Sequence, residues 1–140
     1  MSQQEFREKV GLFEQALHYF PQTELPVTHH FADGIYGREM WMPKGTLAVG
    51  KIHRTRHLSV IAQGAIAVAT PEGLTRIQAP AIWVSPPGAK RVAFALEDTV
   101  WITVHPTDTE DIDVIEQRLI APSFDMINDD TLDVVVKELT

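Results

Sequence analysis

Residues 45–64 read GTLAVGKIHRTRHLSVIAQG, and this stretch decides the fold. Apolar residues alternate with other residues in both of its arms: Leu47, Val49, Leu58, Val60 and Ala62. A period of two is typical of β-strands, whose alternate side chains share one face. The polar segment between the arms is therefore predicted to point Lys51, His53 and His57 into one cavity. A later segment, PPGAKR at 86–91, is predicted to form the opposite wall.

The chain on either side of this stretch shows the same strand pattern. Candidate strands cover residues 27–31, 35–42, 47–53, 57–63, 65–70, 74–77, 81–85, 91–96 and 100–105. Gly, Pro and Asp separate them at close spacing, as in antiparallel sandwiches and barrels. A length of 140 residues suits one domain with a real core. We therefore expect an all-β protein, a single antiparallel β-barrel or jelly roll over 27–105.

Helices are predicted on both sides of the barrel. Ser2 and Glu5 form a capping box that opens a helix over 2–20. Its apolar face is expected to pack on the barrel or on a second subunit, and it consists of Phe6, Val10, Phe13, Leu17 and Phe20. A second capping box, at 107–110, predicts a helix whose apolar face is Ile112, Ile115 and Leu119. Residues 129–140 are predicted to complete a helical extension over 107–140, although the three valines at 134–136 also suit a strand. Such an appendage often packs on a neighbouring subunit, so we expect a homo-oligomer.

Charge is distributed unevenly along the chain. The net charge is −7, which disfavours general nucleic-acid binding. Between residues 44 and 91, however, the sequence has seven Lys or Arg residues and one acidic residue, Glu72. A basic middle in an acidic protein predicts local attraction for a small anion.

Several classes of protein are excluded or disfavoured by what the sequence lacks. There is no cysteine, so neither disulfides nor thiolate metal sites are available. The polar N-terminus has no signal-peptide core, and no apolar run approaches the ~20 residues that span a bilayer. We expect a soluble, cytoplasmic protein without a membrane partner.

The order of strand, histidine-bearing turn, strand and Pro-x-Gly resembles the cupin superfamily. The first cupin motif is similar to G-x5-H-x-H-x3-E-x6-G, and Gly45 and Gly64 occupy its two glycine positions. Of the metal-binding positions, the second His is matched by His53, while Lys51 and His57 replace the first His and the Glu. In the second motif, G-x5-P-x-G-x2-H, Pro86 and Gly88 match and Arg91 replaces the His. The resemblance covers roughly residues 27–105 and implies a cupin-like barrel.

A narrower resemblance involves three segments: HHFADGIYGREMWMPKGT, GKIHRTRHL and EDTVWITVHPTD. Together these are similar to small cupin-like proteins encoded by tailed bacteriophages. That resemblance implies a protein that works in the cytoplasm of an infected bacterium.

The substitutions at the cupin metal positions change the expected chemistry. Lys51 and Arg91 add positive charge that repels a metal cation. Metal binding nevertheless stays open, because His53, His57 and His105 remain, and Glu39 is a candidate fourth ligand. Such a set suits zinc, iron or nickel. Glu39 follows Arg38 on one strand, so only one of these two side chains can face the cavity.

The same residues favour an anion. Arg supplies a bidentate fork and Lys a point charge for a phosphate or carboxylate. The predicted ligand-binding residues are Lys51, His53, His57, Arg91 and His105. Arg54 and Arg56 either join them or face solvent.

Three functions follow from these alternatives. The first is a non-catalytic protein that binds a small anion, such as a nucleotide-like signal of host defence, without a cofactor. The second is a metal-dependent cupin enzyme of isomerase or dioxygenase type. The third is a phage structural or interaction protein with a vestigial pocket.

Overall fold

The structure, a computed structural model, describes residues 1–20, 24–88 and 90–121. Its elements in chain order are α1 (Gln3–Leu17), β1 (Val27–Ala32), β2 (Ile35–Met42), β3 (Leu47–Val49), β4 (Ile52–His53), β5 (His57–Gln63), β6 (Ala65–Thr70), β7 (Gly73–Gln78), β8 (Ala81–Ser85), β9 (Val92–Ala95), β10 (Thr99–Pro106), α2 (Ile112–Leu119) and β11 (Ile120–Ala121). The all-β class, expected from the alternation of apolar residues, is confirmed, and so is the presence of a helix on each side of the barrel.

Two antiparallel sheets form the body of the jelly roll. One contains five strands in the order β1-β2-β10-β5-β8, and the other contains four in the order β3-β9-β6-β7. The short strands β4 and β11 pair with each other. The core lies between the sheets and consists of Met42, Ile61, Ile66, Val68, Ala93, Ala95 and Trp101.

The two arms of the 45–64 stretch enter different sheets. β3 pairs with β9, whereas β5 lies between β10 and β8. The strand expected over 47–53 is interrupted after Val49, and Gly50 and Lys51 separate β3 from β4. The backbone N–H of Gly50 still donates to the carbonyl of Arg91, over 2.8 Å. The N–H of Gly88 donates to the carbonyl of His53 over 2.7 Å, so backbone bonds hold the two cupin-like segments together.

Helix α1 begins as predicted but packs less than expected. The hydroxyl of Ser2 accepts a hydrogen bond from the N–H of Glu5, which confirms the cap. The helix ends at Leu17, and within it only Val10 is buried among the described residues. Phe13 is 38% exposed and Phe20 is 65% exposed, so the whole apolar face does not pack on the barrel, and its packing on a second subunit stays a prediction.

Helix α2 begins later than the sequence indicates. The carboxylate of Asp111 caps it by accepting from the N–H groups of Asp113 and Val114. Thr107 instead bonds to Thr109 in the preceding loop, so the capping box predicted at 107–110 is wrong. An aspartate at the N-cap is as good a cap as threonine, and the motif alone does not choose between them. The predicted helix over 129–140 lies outside the described residues.

The apolar face of α2 is confirmed. Ile115 and Leu119 are buried and pack on Tyr36 of β2, which places the helix across one end of the jelly roll. Some aromatic residues of the strands are not part of the core, however. Trp41 and Phe94 are about 40% exposed, because they occupy outward-facing positions of their strands. No helix within the described ranges is long and apolar enough to cross a membrane.

Candidate functional site

A cavity of about 270 Å³ lies between the sheets, below α2. All five predicted ligand-binding residues line it: Lys51, His53, His57, Arg91 and His105. They come from β4, β5, β10 and the segments that precede β4 and β9. The sequence therefore places these side chains correctly, although their role in binding stays a prediction.

Three histidine rings form the centre of this site. The ring centroids of His53 and His57 are 4.4 Å apart, those of His57 and His105 are 4.7 Å apart, and those of His53 and His105 are 5.8 Å apart. The ring of His105 stacks on those of His53 and His57, with interplanar angles of 11° and 29°, whereas the rings of His53 and His57 are tilted by 36°. The ring of Tyr36 also stacks on that of His105, with ring centroids 6.1 Å apart.

The surroundings keep two of these imidazoles neutral. Burial, together with the smaller effects of the charges of His57, His53 and Arg38, lowers the pKa of His105 to about 3. The Nδ1 atom of His105 is buried and has no hydrogen-bond partner in the part of the chain that the structure describes. Burial also lowers the pKa of His57, against the opposing effect of a 3.0 Å hydrogen bond between its Nδ1 atom and the carbonyl of Thr55.

Arg91 is the most buried cation of the site, with 8% of its surface exposed. Its Nη2 atom donates to the hydroxyl of Ser85 over 3.3 Å, and that hydroxyl bonds to Ser59 over 3.1 Å. This chain of bonds fixes the guanidinium against the five-stranded sheet. Lys51 is exposed and lies at the rim.

Sequence reasoning missed part of the lining. Arg38 faces the cavity and adds a third cation. Among the described residues that line the cavity, one is acidic, Glu116 of α2. Ser59 and Ser85 also line it. The sequence could have indicated them, because each is a small polar residue at an inward position of an otherwise apolar strand. Ser59, for example, follows His57 by two positions and therefore shares its face.

Other predicted residues lie elsewhere. Glu39 faces away from the cavity and bonds through Oε1 to Nε2 of His30, over 3.1 Å, so it is wrong as a metal ligand. Strand alternation explains this, because Arg38 takes the inward position. Arg54 donates from Nε to the carbonyl of Ile120 over 2.8 Å, and Arg56 is exposed outside the lining.

The sequence left a resident metal open as an alternative, and the donor set suits one chemically. Neutral imidazoles are good ligands for zinc, iron or nickel. The arrangement does not suit it, since no group of three His, Asp or Glu among the described residues is placed to hold a metal ion. Arg38, Lys51 and Arg91 also line the same cavity and repel a cation. As arranged, these residues do not fit a resident metal.

Comparison with solved structures decides the fold. KdgF from Halomonas sp. superposes with a TM-score of 0.52 at 18% identity, over 66% of this chain and 90% of that one. A cupin superfamily protein from Desulfitobacterium hafniense gives 0.51 at 9% identity, over 64% of this chain and 83% of that one. The chain has the cupin fold.

Another protein with the cupin fold is an enzyme by its name. Acetylacetone dioxygenase from Acinetobacter johnsonii superposes with a TM-score of 0.51 at 15% identity, over 62% of this chain and 65% of that one. At such low identity the likeness concerns the fold and does not extend to the activity. No profile of a known protein family matches the sequence, and no curated protein matches it significantly. Nothing in these comparisons links the cupin fold of this chain to bacteriophage proteins.

Proposed function

We propose that this protein binds a small anion in its cavity and does not transform it. The observation that carries the proposal is the buried guanidinium of Arg91 on the cavity wall, held by Ser85. A guanidinium away from water binds a carboxylate or phosphate through charge-assisted hydrogen bonds. Arg38 and Lys51 on the same lining strengthen the attraction.

The neutral histidines support the same function. Because His57 and His105 resist protonation, they offer polar contacts without adding more positive charge to a crowded site. A neutral imidazole both donates and accepts, so it can contact the hydroxyl or carbonyl of a ligand as well as its anionic oxygens.

The size of the cavity limits the ligand. A volume of 270 Å³ equals roughly nine water molecules at ~30 Å³ each. It lies slightly below the ~300 to 1,000 Å³ of sites for drug-sized ligands. A nucleotide-like signal, the ligand suggested by the phage resemblance, would therefore fit only with its phosphate inside and its base beyond the rim.

Replacement of Arg91 by glutamine tests the proposal. Inorganic phosphate and acetate are titrated into the wild type and the Arg91→Gln variant by calorimetry. We expect the variant to bind about 10- to 100-fold more weakly, since a hydrogen bond to a charged group contributes about 1.5 to 3 kcal/mol. The matched control, Arg56→Gln, removes an exposed cation outside the cavity and is expected to leave binding unchanged.

One observation favours a second candidate, the metal-dependent enzyme: three imidazole rings lie within 5.8 Å of one another. Metal binding would require these rings to reorient. Elemental analysis together with native mass spectrometry of the purified protein separates the two candidates. Stoichiometric metal that is lost in the double variant His53→Ala/His57→Ala would overturn anion binding as the function. A co-purifying anionic mass without metal would support it.

A further inference from the structure

The cavity wall formed by the five-stranded sheet changes from polar to apolar along the strands. Facing residues of β2 and β10 form successive layers, because Tyr36 pairs with His105, Arg38 with Thr103 and Met40 with Trp101. Inward side chains of β5 continue the layers, with Ser59 beside Thr103 and Ile61 beside Trp101. On the five-stranded sheet, histidine, arginine, serine and threonine thus occupy the end near α2, and methionine and tryptophan occupy the other. Helix α2 itself adds the apolar side chains of Ile112, Ile115 and Leu119 to the first end.

The facing sheet completes an apolar floor. Ala48 of β3 and Ala93 of β9 are direct partners, and both line the cavity together with Met40 and Trp101. Two alanines at adjacent positions leave space that larger side chains would fill. Leu25, in the segment before β1, adds another apolar side chain. An inorganic anion at the cationic end would leave this floor without a contact.

We infer that the ligand is an organic acid with a short hydrocarbon body. Its carboxylate lies at the end formed by Arg91, Lys51 and the histidines, and its body lies on the floor formed by Met40, Trp101, Ala48 and Ala93. Of the roughly nine heavy atoms that the volume admits, three belong to the carboxylate, which leaves a body of about five or six carbons. This inference rests on the proposed function and names its ligand class.

A series of straight-chain acids tests the inference. Acetate, butyrate, hexanoate and octanoate are titrated into the wild-type protein by calorimetry. Affinity is expected to rise about fourfold with each added methylene group as far as hexanoate, since burial of one contributes about 0.8 kcal/mol. Octanoate, which exceeds the volume, is expected to bind no more tightly than hexanoate. Equal affinity for acetate and hexanoate, or a continued rise to octanoate, would overturn the inference.

A variant of the floor provides the structural control. Ala48→Leu fills space at the apolar end, so it is expected to weaken hexanoate at least tenfold and to leave acetate within twofold. The matched change, Ala62→Leu, adds the same atoms at an exposed position of β5 outside the lining. It is expected to leave the affinities for acetate and for hexanoate unchanged. Thermal melting of both variants establishes that they are folded. Equal weakening of acetate and hexanoate in Ala48→Leu would contradict the position of the hydrocarbon body.

Failure of the inference and failure of the proposed function give different results. If acetate and phosphate bind in an Arg91-dependent way but chain length has no effect, anion binding stands and the ligand class is wrong. If hexanol binds as tightly as hexanoate, or if no acid binds, the proposed function itself is wrong.

Discussion

The histidines show how strongly position decides the chemistry of a residue. His30 is exposed and bonds to Glu39, whereas His105 has 2% of its surface exposed and stacks against two other imidazoles. The depressed pKa of His105 has a consequence for stability. In the unfolded chain this histidine binds a proton once the pH falls below its ordinary pKa of 6.5. In the folded protein it stays neutral until the pH reaches about 3.

The protein is therefore expected to lose stability as the pH falls from 7 to 5. His105 alone should contribute a loss of about 2 kcal/mol in the free energy of unfolding, at about 1.4 kcal/mol per pH unit below 6.5. His57, whose pKa is also lowered, adds to this loss. Urea unfolding at several pH values measures it. The variant His105→Gln keeps a polar side chain and should show a shallower decline. An equal decline in both proteins would contradict the assignment.

Two glycines make it possible to distinguish the cost of a left-handed backbone from the cost of steric crowding. Gly45 and Gly64 both adopt φ of +88°, in the left-handed region that disfavours other residues. A Cβ at Gly64 would lie 2.3 Å from the carbonyl oxygen of Asp98, whereas a Cβ at Gly45 would have nothing within 4 Å.

Gly64→Ala is expected to destabilise the protein far more than Gly45→Ala does. The Gly45 variant should lose about 1 to 2 kcal/mol from the left-handed backbone alone. The Gly64 variant should lose about 4 kcal/mol or more, since backbone must also move. Chemical denaturation of the two variants measures the difference. Similar losses would show that the β5–β6 turn relaxes without cost.

Helix α2 connects the outside of the molecule to the site. It begins at the Asp111 cap, places Glu116 at the cavity and continues directly into β11. Its end is held by the pairing of β11 with β4 and by the bond from Arg54 to Ile120. Strand β4, which carries His53, is thus held in place by its pairing with β11, which directly follows the helix that covers the cavity.

Loss of the α2 cap should destabilise this arrangement. Asp111→Ala is expected to lower the free energy of unfolding by about 1 kcal/mol, because two backbone N–H groups lose their acceptor. Asp111→Asn keeps a side-chain oxygen and should fall within a few tenths of a kcal/mol of the wild type. Thermal or urea unfolding measures both. If asparagine were as destabilising as alanine, the charge rather than the cap would be responsible.

The outer face of the five-stranded sheet is a large apolar surface on the whole molecule. Its outward side chains include Ile35, Trp41, Leu58, Val60, Ile82, Val84, Val100, Ile102 and Val104. Ile82 is 67% exposed, and among the residues that the structure describes the outward positions of this sheet carry one carboxylate, that of Glu39, which is paired with His30. In a protein of net charge −7, two copies of this face can meet without opposing like charges. We propose that it joins two copies of the chain.

A charge placed on this face should prevent self-association. Ile82→Lys is expected to convert a dimer into a monomer in sedimentation velocity at micromolar concentration, because the interface would bury an unpaired ammonium group. Leu74→Lys is the matched control, since Leu74 is 77% exposed on a strand of the other sheet. A monomeric wild type, or equal dissociation by the control, would contradict the proposal.

The sequence by itself determined the local structure of this protein. Alternation of apolar residues fixes which side chains of a strand share a face, so the strands and the inward direction of His53 and His57 were predictable. The capping box predicted the cap of α1, and the resemblance to the cupin motif predicted the inward direction of Arg91. These features depend on neighbours a few residues apart, and the chain encodes such neighbours directly.

Only the tertiary structure decided what those faces meet. It placed Arg38 inside and Glu39 outside, sent β3 and β5 into different sheets, and moved the α2 cap to Asp111. It also set Ala48 opposite Ala93, so that one end of the cavity is apolar. Each of these outcomes depends on which strand lies beside which. Pairing across dozens of residues is settled by the packing of the whole core, and a local pattern does not contain that information.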